Sequence, residues 1–409
     1  MNIFRRHIFL FAALGALVCS CGGKVVGDGG RDVSEPRFLE IFERPEGGWT
    51  VVSVSPFDGS RDSLVIDRPF SRLVAMSTSH YGFLDALGAT DRIVGISGPD
   101  YLYTGLAAAE TSLDGETHAT LGSVRGGTGA ERSVASGGAE RSEAVEPPEL
   151  VSAIADVGYD AAPDYEKIVE LGPDVVLTYA VSGAKSPFET KLEQLGIKVF
   201  TVNEHLERHP LARAAYIRLF GALTGRMAAA DSILSEVTKS YNAIAAEVKD
   251  RKEAPRKVLL NIPYNDQWFV PSEDSYLTAL IRDAGGEVLG CEKGKAASSV
   301  MPVEKAYTLS QEADCWLNTG WCHTRKDLLG VNPIFKDMLG NIESNAAELG
   351  YGSYPVVWND NKRVNSKGGN DIWQSGVARP DLVLLDLAAI LHPDNQGEAF
   401  KTFYYRQIN

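Results

Sequence analysis

Two stretches in which short apolar runs alternate with helical patterns stand either side of one long helical segment, and few folds accommodate that order. In the first stretch the runs at 72–76, 92–96, 174–179 and 197–202 are almost wholly apolar, as strands buried on both faces must be. Helical patterns fall between them at about 80–88, 164–171 and 186–195. Such alternation predicts an α/β fold, with parallel sheets wrapped by helices. In the second stretch 256–261 and 313–319 read as strands, 275–284 and 303–309 as helices, and 376–391 as a closing amphipathic helix. Between the two, from Pro210 to Val248, Tyr216, Leu219, Phe220 and Leu223, then Ile233, Leu234, Val237 and Tyr241, recur at helical spacing. About 40 residues of helix reach roughly 60 Å. That is longer than one lobe is wide, so the segment predicts a bridge between two lobes.

The N-terminus carries an address. Arg5 and Arg6 precede a mostly apolar run from Ile8 to Val18, too short to span a bilayer, and Cys19-Ser20-Cys21-Gly22-Gly23 follows. Cys21 behind a small residue, with Val18 three positions upstream, resembles the bacterial lipobox, in which that cysteine is lipidated. The alternative is an ordinary secreted protein in which the cysteine is incidental. The chain then divides into a signal peptide at 1–20, a tether and β-rich leader at 21–66, an N-terminal αβ lobe at 67–206, a linking helix at 207–252 and a C-terminal αβ lobe at 253–409. Between Ser123 and Pro148 composition collapses into Gly, Ser, Ala, Glu and Arg, and Gly129-Ala130-Glu131-Arg132-Ser133 recurs at Gly138–Ser142. This segment reads as a disordered surface insertion at about 123–148.

A net charge of -14 over 409 residues argues against a nucleic-acid binder, whose footprint would be basic. Of the five cysteines, Cys291, Cys315 and Cys322 remain after processing. Cys315 reads as a buried apolar group, and Cys291 with Cys322 is the expected pair in an oxidising compartment. No Gly-x-Ser-x-Gly elbow, P-loop or His-Glu-x-x-His occurs, so the chain is not read as an enzyme. His205 and His209 stand at i, i+4 beside Glu204, either as a metal pair or as a solvated helix start. No metal site or cofactor is assigned.

The halves echo each other. Pro163 precedes Glu166-Lys167-Ile168-Val169-Glu170-Leu171 and an apolar run, and Pro302 precedes Glu304-Lys305-Ala306-Tyr307-Thr308-Leu309 and another. A carboxylate in the first turn stabilises a helix by up to about 1 kcal/mol, which accounts for either glutamate alone. Their matching positions suggest acidic knobs presented by a pseudo-symmetric body.

On these residues the chain resembles the periplasmic binding proteins of ABC transporters for cobalamin, haem and iron–siderophores. Arg72–His80, Leu84–Ala89 and Asp91–Ser97 match that family's first strand–helix–strand. Asp156-Val157-Gly158, Pro163–Ile168 and Leu171–Leu177 match its second unit, and Leu195–Val199 its third. The resemblance covers about 70–409. It implies two parallel-sheet αβ lobes joined by one long rigid linker helix, with a ligand cleft between the lobes. It further implies a monomeric receptor, with Glu166 and Glu304 docking to arginines of an ABC permease that works with its ATPase. The receptor would be periplasmic and held to the outer face of the cell membrane by its lipid alone.

Ligands of such sheets sit where the strands exit. Position therefore nominates Ser79, His80 and Tyr81 after the first strand, Tyr101 and Tyr103 after the second, and Tyr179 and Ser182 after the third. The second lobe contributes Tyr264, Trp268 and Trp321, then Trp373 in a glycine-rich loop and Arg379 one turn inside the last helix. Aromatic exits suit a bulky conjugated ligand. An iron–siderophore is favoured, with Arg379 as a donor fork for an anionic one. A corrinoid or haem, a free metal ion, and a surface lipoprotein without a transporter remain the alternatives.

Overall fold

The computed structural model describes residues 32–104, 154–292, 298–393 and 401–409. The signal segment, Cys21 and the insertion at about 123–148 lie outside the described residues. Everything below concerns Ser34–Asn409, which forms one unit, Met1–Val33 being the other.

The N-terminal lobe is built on a 5-stranded sheet in the order Val199–Thr201, Val175–Thr178, Leu73–Ala75, Ile93–Ile96, Ala155–Asp156, with every pairing parallel. Leu73, Val74, Val175, Val176 and Leu177 are fully buried, as strands covered by helices on both faces require. The helices start where side chains satisfy their open N–H groups. Ser77 caps Thr78–Ala86, Asp164 caps Tyr165–Leu171, and Ser186 with Glu189 forms a capping box on Pro187–Gln194. The C-terminal lobe repeats the plan with Gly286–Val288, Arg256–Leu260, Cys315–Leu317 and Val357–Asn359 in parallel, and Arg406–Gln407 closes the edge antiparallel.

The leader is an antiparallel three-stranded sheet, Leu39–Glu43, Trp49–Val54 and Arg61–Ile66, whose first turn is made by Gly47-Gly48 at positive φ. It is no separate module. Leu39, Val51, Leu64 and Ile66 share a core with Leu73, Phe200 and Phe220 of the lobe. The Glu207 carboxylate accepts from the backbone N–H of Arg37 and Phe38 at 2.9 and 3.0 Å, tying the leader to the segment between the lobes.

That segment differs from the expected single helix. It is helical at Pro210–Ala214, Ile217–Thr224 and Met227–Asp250, and the last runs 24 residues, about 36 Å. Gly225 ends the second piece at φ +73°. A Cβ on Gly221 would lie 2.8 Å from the Ala230 Cβ, so the two helices pack against each other through that glycine. Bridging survives by division of labour. Leu219, Phe220, Leu223 and Ala230 bury in the N-terminal core, and Val237, Tyr241, Ile244 and Val248 in the C-terminal one.

Two further readings are corrected, the closing helix and the pairing of Cys291 with Cys322. The closing helix is Pro380–Leu391, because proline favours the first helical position, and residues 371–377 form short 3-10 turns instead. Helices Arg325–Val331 and Phe335–Glu348 and the strand Val357–Asn359 went unread. Cys291, Cys315 and Cys322 are all free thiols. Cys291 sits beside the Thr278 hydroxyl at 3.9 Å, while Cys322 is wholly buried.

Candidate ligand cleft

Because the N-terminal sheet is parallel, its loops at 97–103, 157–164 and 179–186 gather on one edge. The C-terminal lobe meets that edge directly. The Asn365 amide donates to the carbonyls of Asp100 and Leu102, both at 2.9 Å. Gln374 exchanges two bonds with the Tyr103 backbone at 3.0 and 2.9 Å. Approach this close requires glycine on each side. A Cβ on Gly369 would stand 2.0 Å from the Tyr101 carbonyl oxygen, and one on Gly82 1.9 Å from that of Gln374. At the base, the Arg213 guanidinium lies 4.6 Å from the Tyr276 ring centroid, and Tyr241 donates to Asp283 at 2.7 Å.

The N-terminal rim is aromatic and acidic. Tyr101 and Tyr159, 45% and 49% exposed, converge over Gly98, where a Cβ would be 3.0 Å from the Tyr159 hydroxyl and 3.1 Å from the Tyr101 ring. Gly98 has φ +61°, a conformation glycine adopts without strain. Asp156 accepts from the N–H groups of Gly98 and Gly158 and so shapes both turns. Tyr179 donates to Asp160 at 3.4 Å. Partial desolvation, then the neighbouring Tyr101, Asp156 and Asp100, push the Tyr159 phenol up, and desolvation with Asp160 does the same at Tyr179. Both phenols therefore stay protonated and act as hydrogen-bond donors.

On the opposite rim Tyr264 and Trp321 are 71% and 63% exposed, and Trp373 is also exposed. A Cβ on Gly320, at φ +64°, would lie 3.2 Å from the Ile262 side chain, so the Trp321 and Tyr264 loops adjoin.

Other nominated residues lie elsewhere. The strand ends at Ala75 and the helix begins at Thr78, so Ser79, His80 and Tyr81 are already in the first turn and buried. Ser79 donates to Glu204 at 2.7 Å. His80 packs 5.9 Å from the Phe220 ring, and burial lowers its pKa to about 4, so it is neutral at pH 7. Trp268 is fully buried because it opens a strand, Trp268–Val270, that folds back onto the core. Its ring stacks 6.0 Å from Trp316, and its N–H reaches the Leu260 carbonyl at 2.7 Å. Tyr103 lies under the Arg363 guanidinium, 5.0 Å from ring centroid to Cζ. Arg379 is the N-cap residue of the last helix, and both its bonds at 2.9 Å go to Asp381, so it offers no open fork. Ser182 is exposed and donates to the Ala184 carbonyl at 3.4 Å. His205 bonds the Ala180 carbonyl and His209 caps Pro210–Ala214, so the two do not pair on a metal.

Sequence reasoning missed Asp156, Tyr159, Asp160, Asn365 and Gln374. The Gly158-Tyr159-Asp160 run shortly after the strand Ala155–Asp156 was the available signal for two of them, Tyr159 and Asp160.

Glu166 and Glu304 are both exposed, and each is the second residue of its helix, Tyr165–Leu171 or Val303–Ser310. Each helix feeds a parallel strand, so its first turn lies on the strand-exit side of its sheet.

Comparison with known proteins agrees with this architecture. The sequence profile of the periplasmic binding protein family matches residues 73–339. An uncharacterised lipoprotein of Methanocaldococcus jannaschii is 29% identical over 266 residues, 63% of this chain and 56% of the relative, so the match spans little more than half that protein. A periplasmic binding protein of Veillonella parvula superposes with a TM-score of 0.54 at 14% identity, covering 84% of this chain and 98% of its own. A periplasmic heme binding protein of Pseudomonas aeruginosa gives 0.51 at 14% identity, covering 83% and 98%. At such identity these two establish the fold alone. No helix among the described residues is long and apolar enough to cross a membrane. By profile and by fold, the chain belongs to the periplasmic binding protein family, whose members bind ligands and are not enzymes.

Proposed function

We propose that this protein is the receptor for a bulky metal chelate and hands it to an ABC permease served by its ATPase. The observation that carries the reading is the pair of aromatic rims at the strand exits, Tyr101 and Tyr159 on one lobe and Tyr264 and Trp321 on the other. Exposed rings give a large planar or conjugated ligand wide contact at little entropy cost, and phenol donors orient its polar atoms. An iron–siderophore is favoured, and a corrinoid or haem is the second reading. No observation among the described residues favours a bare ion, since no three His, Cys, Asp or Glu side chains there converge on a point. Side-by-side titration of cobalamin, haem and several ferric siderophores, followed by tryptophan fluorescence, tests the reading. Tight binding of Zn²⁺ or Mn²⁺ with no response to any chelate overturns it.

Delivery rests on Glu166 and Glu304. Exposed carboxylates on both lobes can steer and orient a partner bearing basic pockets. Reversing both to lysine is expected to abolish uptake while ligand affinity stays unchanged, and surviving uptake would reduce them to helix-start carboxylates. Anchoring rests on Cys21. A fatty-acid probe is expected to label the wild type and not Cys21→Ala, and equal labelling of both would refute the anchor.

A further inference from the structure

We infer that the cleft selects chelates of positive or zero net charge and rejects anionic ones. The inference deepens the chelate-receptor reading and rests on it. Three observations on the N-terminal rim carry it. Tyr101 and Tyr159 are exposed rings that converge over Gly98, and the half-buried Tyr179 donates its hydroxyl to Asp160. Asp100, Asp156 and Asp160 are exposed among those rings, Asp160 being 3.4 Å from the Tyr179 hydroxyl. Four arginines near the cleft are already engaged by carboxylates, whereas Arg406, paired with Asn359 at a strand exit of the C-terminal lobe, donates to His323. Arg208 faces Asp274 at 3.5 Å, Arg213 faces Glu204 at 3.8 Å, Arg363 faces Asp371 at 2.6 Å, and Arg379 faces Asp381 at 2.9 Å.

Lys367 is exposed on the loop that Asn365 ties to the N-terminal rim, and Lys362 at the start of that loop donates to the Thr402 carbonyl, so Lys367 is the exposed countercharge that stands closest in the chain to that tie. It stands against three carboxylates. Ring faces attract cations, carboxylates repel anions, and protonated phenols donate equally well to neutral carbonyl or hydroxamate oxygens. A ligand with several negative charges would meet repulsion at the N-terminal rim, where no guanidinium is left open by Arg363 or Arg379.

The test uses ligands of similar shape that differ chiefly in charge, on two scaffolds. One set is ferrioxamine B with its pendant ammonium, its neutral N-acetyl form and its anionic N-succinyl form. The other is aquacobalamin, cyanocobalamin and a cyanocobalamin monocarboxylate. Dissociation constants are read from tryptophan quenching at low salt with the lipid-free chain. Affinity is expected to fall about tenfold for each unit of charge from cation to anion, and the spread is expected to narrow as salt rises. The double variant Asp156→Asn, Asp160→Asn is expected to shrink the cation-to-anion ratio about tenfold. An anionic form that binds as tightly as its neutral counterpart overturns the charge selection and leaves the chelate receptor standing. Failure of every charge state of both scaffolds, and of haem and the other ferric siderophores beside them, overturns the receptor reading, and the selection with it.

Discussion

Gly82→Ala offers a test in which two physical effects predict opposite signs. Gly82 lies inside the helix Thr78–Ala86, where alanine is intrinsically the better residue by about 1 kcal/mol. In isolation, then, the substitution stabilises. In the folded protein the new Cβ would stand 1.9 Å from the Gln374 carbonyl oxygen and 2.5 Å from its carbon, both backbone atoms that cannot swing aside. Relief requires the C-terminal loop to move more than an ångström off the helix. Such a shift strains the two bonds between Gln374 and Tyr103 and the two from Asn365 to Asp100 and Leu102. At about 0.5–1.5 kcal/mol each, partial loss of four bonds outweighs the helix gain, and the expected net cost is about 2–4 kcal/mol. Urea denaturation measures it directly. Gly340→Ala is the control, since Gly340 lies in Phe335–Glu348 with nothing within 4 Å of its Cβ. It is expected to stabilise by up to about 1 kcal/mol. If Gly82→Ala stabilises by the same amount, the lobes are not held together through this loop.

Other perturbations separate core from cleft. Trp268→Ala is expected to cost about 3–5 kcal/mol of stability, as for any buried tryptophan, whereas Trp321→Ala leaves the melting temperature nearly unchanged and removes much of the ligand-induced quenching. Equal effects on stability would contradict their opposite burial. In the native protein a small thiol reagent is expected to label Cys291 first, with Cys315 and Cys322 reacting only on unfolding. A count of one thiol after denaturation would indicate a disulfide. His80, facing Glu204, His205 and Phe220, has its pKa lowered from 6.5 to about 4 by burial. The unfolded state therefore takes up the proton first, so His80's contribution is complete above pH 6.5 and is lost as pH falls towards 4. That loss amounts to roughly 3 kcal/mol, and His80→Leu is expected to flatten the stability profile in that window. An unchanged slope would place the acid sensitivity elsewhere.

The sequence by itself determined the α/β class, the two lobes and the position of nearly every central strand. Strands such as Val175–Thr178 and helix starts such as Ser186-Pro187 are legible because local pattern and local capping coincide there with final burial. Glu166 and Glu304 were legible for the same reason, since helix-start carboxylates at matching positions need no distant partner to be seen. Only the tertiary structure decided where the apparent linker helix breaks, because Gly225 ends one piece so that Gly221 can pack against Ala230, a contact that periodicity does not record. It likewise decided which aromatic residues are exposed. Trp268 and Trp321 both follow strands, but one opens a returning strand and is buried, while the other stays on an exposed loop. The pairing of Arg379 was decided at the same level. Arg379 looks open in the chain, yet the Pro380 helix start turns it onto Asp381, and pairing between side chains depends on backbone geometry that no spacing of residue types encodes.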